Sequence, residues 1–217
     1  MTRIAATLAL AASAVALAAV APAGAPQPVA PLSPEEIAAG VRLSAAASDR
    51  FQGQLLAALE KAMAEGGVEG AVRVCAQQAP AIAAQVSAET GASVRRTALR
   101  TRNPAAAPDG FERAVLQGWV GAPMEAPGRP KAHHAIVAGP DGQPALRYMR
   151  AIPLRAQCLA CHGDPEQMSD ELRATIAARY PADRAVGFTE GELRGAFSVS
   201  WRPAALRAAI ASGTAGR

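Results

Sequence analysis

His133-His134-Ala135-Ile136-Val137 and Ala145-Leu146-Arg147-Tyr148-Met149-Arg150-Ala151-Ile152 flank Gly139-Pro140-Asp141-Gly142. Two alternating runs around a Pro-Asp-Gly turn read as a β-hairpin. The second run leads straight into Cys158-Leu159-Ala160-Cys161-His162. Upstream of the hairpin the hydrophobic period is helical; downstream a further strand pattern returns at Gly195-Ala196-Phe197-Ser198-Val199-Ser200-Trp201. Helices first, then an antiparallel sheet with inserted helices, predicts an α+β fold.

The pattern C-x-x-C-H is the one that marks attachment of a c-type haem. Each thiol can add across one vinyl group of a porphyrin, and two intervening residues make about one turn, enough to span one edge of the ring. The adjacent histidine then projects beneath the iron as an axial ligand. A bare C-x-x-C could also be a redox dithiol, but that motif opens a helix in a thioredoxin-like βαβ context, which is absent here. A four-ligand zinc site needs a second pair, and the chain holds only three cysteines. One such motif implies one covalently attached haem c.

Working outward to the N-terminus, Met1-Thr2-Arg3 precedes an apolar run from Ile4 to Val20, then the small residues Ala21-Pro22-Ala23-Gly24-Ala25. This is the layout of a secretory signal peptide over 1–23, cleaved after Ala23. The alternative is a retained anchor, for which an alanine-rich run of this length is short. Export and C-x-x-C-H support each other, since haem c is attached beyond the cytoplasmic membrane. The expected location is periplasmic, with no membrane span left after cleavage. The formal charge of +4 includes Arg3, and no basic run interleaved with aromatics suggests nucleic acid. The excess is too small to specify an acidic redox partner.

A linker is expected over 24–32. Ser33-Pro34-Glu35-Glu36 reads as a capping box with Pro34 at the first helical position. Ile37, Val41, Ala45, Phe51, Leu55, Leu56, Leu59 and Met63 then recur at helical spacing up to Glu65-Gly66-Gly67, predicting an N-terminal helix over 33–67 that the glycine pair ends. A second helix is expected from Val68 to Ser87, kinked or divided at Pro80, with Cys75 in its apolar stripe. Ser93 to Arg102 alternates as a strand with an arginine-rich face, which Asn103-Pro104 breaks. Pro108-Asp109-Gly110 is a turn, Phe111 to Trp119 a short helix, and Ser169 caps a helix that Pro181 ends. Gly187-Phe188 reads as a strand, and 206–217 as a C-terminal tail.

The chain resembles the PAS-like c-type haem family, found as free exported proteins and as sensor modules of signalling proteins. The matching stretches are Arg95-Arg96-Thr97, Arg102-Asn103-Pro104, Pro108-Asp109, Cys158 to Gly163, Tyr180 to Phe188 and Gly191 to Ser198. Ala106, Phe188 and Glu192 depart from the usual Asn, Tyr and Asp of that pattern. The resemblance implies a PAS-like antiparallel sheet with flanking helices over 68–205 and a haem in its pocket. It also implies a second axial ligand that is a cysteine on a helix before the sheet, which in this chain is Cys75.

The cysteine count agrees: two thioether bonds leave one thiol, and an odd thiol in an exported chain calls for an explanation. The alternative for Cys75 is a buried, inert small hydrophobe. Met168, Met149, Met124, His133 and His134 are the other candidate ligands. Arg95, Arg96, Arg100 and Arg102 are candidates to pair with the haem propionates, or else form a solvated strand face. The expected function is one-electron transfer or redox sensing, without enzymatic activity, toward an unidentified redox or signalling partner protein. A gas-ligand sensor or a peroxidase-like enzyme are the alternatives; the latter needs a distal acid–base group, which His133 or His134 would have to supply.

Overall fold

The computed structural model describes residues 30–122, 125–126, 129–138 and 143–213. The expected signal peptide, most of the linker, Met124 and the Gly139-Pro140-Asp141-Gly142 turn lie outside the described residues.

Helix α1 runs Pro34–Arg73 and starts at the anticipated box: Glu36 N–H donates to Ser33 Oγ, while the Glu36 carboxylate accepts from Ser33 N–H. The glycine pair bends the helix without ending it. Gly66 and Gly67 leave helical geometry, Gly67 at φ 54°, and the helix resumes to Arg73. Left-handed geometry at Gly67 is open to glycine at little cost. The two arms close tightly, for a β-carbon on Gly70 would lie 2.6 Å from the Ala62 carbonyl oxygen. A π-helical turn, Val74–Gln78, follows, then α2, Ala79–Thr90, with Pro80 in its first turn. Proline there lacks only an N–H that the first turn leaves spare, so the division expected at Pro80 is a change of helical pitch just before it.

The sheet is antiparallel, in the order β1 (Ser93–Thr97), β6 (Leu193–Trp201), β5 (Pro144–Pro153), β4 (Ala132–Ala138). Thus the hairpin strands pair as the alternation predicts, while the last strand inserts between β5 and β1. A short antiparallel pair, β2 (Glu125–Ala126) with β3 (Arg129–Pro130), precedes the hairpin. The Gly187-Phe188 segment is not a strand, and the strand expected to reach Arg102 stops at Thr97.

Each face of the sheet has its own cover. Val94, Tyr148, Phe197, Val199 and Trp201 pack against Leu43, Ala47 and Phe51 of α1. Helix α6, Pro203–Ala211, closes the same core through Leu206 and Ala209. Much of the segment expected as a tail is therefore a packed helix: its Pro203 start and buried stripe give it a face to bury. The opposite face, Met149, Ala151 and Ala196, packs on Leu116 and Trp119 of α3, Gly110–Trp119, which Asp109 caps. Trp201 Nε1–H donates to Ser44 Oγ inside the first core, satisfying both polar groups where water is excluded. The fold is α+β, a long N-terminal helix ahead of an antiparallel sheet with flanking helices, as the sequence predicts. Among the described residues no helix is long and apolar enough to cross a membrane.

Candidate functional site

A cavity of about 260 Å³ opens between the sheet end, the bent α1 and the loops after β5. Leu55, Leu56, Leu59 and Met63 of α1 form its apolar wall. Cys75 enters from the π turn. The wider backbone spacing of a π turn is a frequent device at functional sites. On another side lie Cys158, at the end of a 3₁₀ turn, and Cys161 and His162 of α4, the single turn Leu159–His162. All three cysteines are unbridged thiols.

The segment 183–188 clamps this turn. Phe188 N–H donates to the His162 carbonyl at 3.0 Å and Gly187 N–H to the Gly163 carbonyl. Arg102, buried, donates from Nη2 to the Cys161 and Ala185 carbonyls and from Nε to Asp183 at 3.0 Å. Asp183 in turn accepts from Ala185 N–H. Gly163 ends the turn where a β-carbon would lie 2.6 Å from the Leu159 carbonyl oxygen, so glycine is required there.

His162 Nδ1 lies 2.7 Å from the Ala185 carbonyl oxygen. A carbonyl only accepts, so the proton sits on Nδ1 and the Nε2 lone pair is free for a metal. Burial, joined by the positive charge of Arg194, Arg102 and Arg96, holds this imidazole well below its ordinary pKa, against the Ala185 bond. The ring is neutral at pH 7, the form in which imidazole ligates.

The electrostatics of the cavity are lopsided. Arg96 and Arg194 both line it, yet neither forms an ion pair with a carboxylate among the described residues. Burial, with Arg96 and Arg102 beside it, pushes Arg194 down to about 10. Burial also lowers Arg96, offset in part by Cys75 and Tyr180. A guanidinium stays protonated at neutral pH, so the half-buried Arg96 and Arg194 give the cavity positive charge that no paired carboxylate balances among the described residues.

A family model matches residues 15–202 of the chain. The chain belongs to the Tll0287-like family. The crystal structure of the cyanobacterial haem protein Tll0287 is similar to this one, with a TM-score of 0.55 and 26% sequence identity over 79% of this chain and 98% of that one. None of the curated proteins compared matches the chain.

In this member of the Tll0287-like family, Cys75, Cys158, Cys161, His162, Arg96 and Arg102 meet at one cavity. Arg95 does not. It points to the far face of the sheet, where Nη1 bonds Glu112 at 2.9 Å and Nη2 donates to the Ala105 and Ala107 carbonyls. Strand alternation sends neighbouring residues to opposite faces, so Arg95 and Arg96 could not both reach the cavity. Arg100 is also elsewhere, stacked over the Phe188 ring at 3.9 Å. Arg102 reaches the cavity but is committed to Asp183 and to two carbonyls. His133 and His134 are exposed on β4, and Met149 and Met168 are buried in other clusters, so none of these four lines the cavity.

Two contributors escaped the sequence reading. Arg194 should share a face with Ala196 by alternation, the α3 face. A register break, Ile152 opposite Gly195 but Pro153 opposite Leu193, leaves Arg194 as the extra residue of a β-bulge. Bulges re-aim side chains, and this one turns Arg194 into the cavity. Tyr180, read as a helix end, also lines it. Both fall in stretches that match the family pattern, Tyr180 to Phe188 and Gly191 to Ser198, but nothing in those stretches tells that their side chains reach the cavity.

Proposed function

We propose that this chain is an exported haem protein of the c type, holding one haem for one-electron transfer or redox sensing. The observation that carries the reading is convergence. Cys158, Cys161 and His162 share one apolar cavity with Cys75, a thiol from a distant part of the chain. The fit rests on this chain's own chemistry: two free thiols one turn apart, a neutral imidazole with Nε2 unprotonated, and two half-buried guanidinium groups without carboxylate partners among the described residues. A haem brings two propionates, which would supply the missing negative charge at Arg96 and Arg194. The likeness to a solved haem protein supports the same assignment.

In this reading Cys158 and Cys161 anchor the cofactor, each S–H adding across one vinyl group so that sulfur bonds carbon and the hydrogen goes to the neighbouring carbon. His162, oriented by the Ala185 carbonyl, and Cys75, as a thiolate, would hold the iron. The haem supplies an iron couple that exchanges one electron. An anionic sulfur stabilises the ferric form and sets a low reduction potential. Two protein ligands leave no open iron position, which suits electron transfer better than catalysis. A peroxidase-like reading would need an acid–base group inside the cavity, and His133 and His134 lie outside it. Gas sensing would require Cys75 to leave the iron on reduction. The partner in either case is a redox or signalling protein, and the compartment the periplasm.

The visible spectrum of the protein matured with haem tests this. A low-spin ferric spectrum of thiolate character, altered by Cys75→Ser together with a raised potential, is expected. No haem absorption after extraction of non-covalent haem would overturn the reading.

A further inference from the structure

Tyr180 caps the end of α5, Asp170–Arg179, and only 8% of its surface is exposed. Its ring packs in a cluster with Val72, Ala76 and Cys161. Val72 and Ala76 stand on either side of Cys75 in the chain, one on α1 and one on the π turn, while Cys161 belongs to the C-x-x-C-H turn. The ring therefore shares one apolar cluster with both segments that would hold the cofactor. Its main-chain groups are occupied, the N–H by Ile176 and the carbonyl by Asp183. Its hydroxyl has no hydrogen-bond partner among the described residues, although it borders the cavity. The ring is buried, while the hydroxyl end stays accessible and unpartnered where Tyr180 lines the cavity, free to donate to a group that the cavity receives.

We infer that the Tyr180 hydroxyl donates a hydrogen bond to the Cys75 sulfur when that sulfur ligates iron, making Tyr180 a positioning residue that sets the reduction potential. The inference rests on the proposal that Cys75 is an axial ligand. An ordinary phenol, with a pKa of about 10, keeps its proton at neutral pH and serves as a donor. A thiolate that accepts a hydrogen bond gives less charge to the metal, which favours the ferrous form. The reduction itself is Fe(III) plus one electron to Fe(II), the electron coming from the titrant, with no bond made or broken at Tyr180.

The experiment is a potentiometric titration of the holoprotein with dithionite, followed through the visible bands. Tyr180→Phe keeps the ring and its packing and removes only the hydroxyl. The expected result is a lower potential and a displaced sulfur-to-iron charge-transfer band. Tyr148→Phe, which removes a hydroxyl from a buried tyrosine on β5 in the sheet core, should leave both unchanged. In a Cys75→Ala background the Tyr180→Phe shift should vanish, since the two act through one contact. An unchanged potential in Tyr180→Phe, or an equal shift in the Cys75→Ala background, overturns the inference and leaves the haem reading intact. A ferric spectrum untouched by Cys75→Ala overturns the ligand assignment and the inference together.

Discussion

Arg95 and Arg96 are neighbours on β1 and live in opposite electrostatic worlds. Arg95 joins a closed network: its Nη1 bonds Glu112, whose other oxygen accepts from Arg147, and Arg147 also bonds Asp109 at 2.8 Å. Glu112 has 0% of its side chain exposed, and it completes the capping box of α3 as well. Two cations meet two anions, so charge on the far face of the sheet is balanced by the polypeptide, although Arg147 Nε and Thr97 Oγ1 stay buried without a partner among the described residues. Arg96 faces a cavity with Arg194 and finds no carboxylate there. Arg150, on the same face as Arg96, still pairs with Asp49, so the imbalance is confined to the cavity, which is built to receive anions. The difference separates structural arginines from arginines that wait for a ligand.

The comparison breaks most readily at Glu112. Glu112→Ala strands two guanidinium groups beside a buried hole and removes half of a helix cap. It should cost about 3–5 kcal/mol of folding free energy, read as a lowered urea midpoint. A loss below about 1 kcal/mol would mean that water already satisfies this network.

Asp183 is the paired exception on the cavity side. Asp183→Ala removes the carboxylate that Arg102 holds and frees the Ala185 N–H. The expected loss is about 3 kcal/mol in the same denaturation, together with reduced covalent haem yield, because the clamp on Cys161 and His162 loosens. Haem absorbance per protein after acid–acetone extraction measures the second effect.

Arg194→Met sharpens the contrast from the other side. With no carboxylate lost, the haem-free protein should keep its stability to within about 1 kcal/mol, since a half-buried charge and its bond to the Arg100 carbonyl give way to an apolar chain of similar reach. The haem-loaded protein should show a lower potential, because a positive charge near the iron favours the less positive ferrous state. A stability loss on the scale of Glu112→Ala would show that the cavity arginines are structural after all.

The smallest effect is one of pH. Burial acts to raise the Asp109 carboxyl, but the Glu112 backbone bond and Arg147 outweigh it and hold it below the usual carboxylate range. Its folded pKa lies under its unfolded one. The stability it contributes is therefore complete above an ordinary carboxylate pKa of about 4 and drains away as pH falls through the folded value. Asp109→Asn should be less stable than the parent at pH 6, with the gap narrowing below about pH 4 in paired thermal melts.

Much of this was legible in the chain. The Ser33 box, the paired strands 132–138 and 144–153 and the cap at Asp109 are local signals, written by residues within a few positions of one another. Glycine misled where tertiary packing intervened: Gly66-Gly67 stops a helix in isolation, but the close contact of Gly70 with the Ala62 carbonyl lets α1 bend and continue. The tail beyond Leu206 read as spare chain because its few apolar residues gain meaning only against Trp201 and Leu43.

By itself the sequence determined the chemistry available: one C-x-x-C-H, one further cysteine and a group of arginines of which the adjacent Arg95 and Arg96 cannot share a strand face. Bond-forming chemistry and strand parity are properties of adjacent residues, so they survive without a fold. Only the tertiary structure decided which of those groups meet. It brought Cys75 to His162's cavity across the sheet, withdrew Arg95 to Glu112, and delivered Arg194 through a bulge that alternation forbids. A bulge arises from how two strands dock rather than from either strand alone. Charge balance, likewise, is settled only when distant side chains are buried together and water can no longer answer for them.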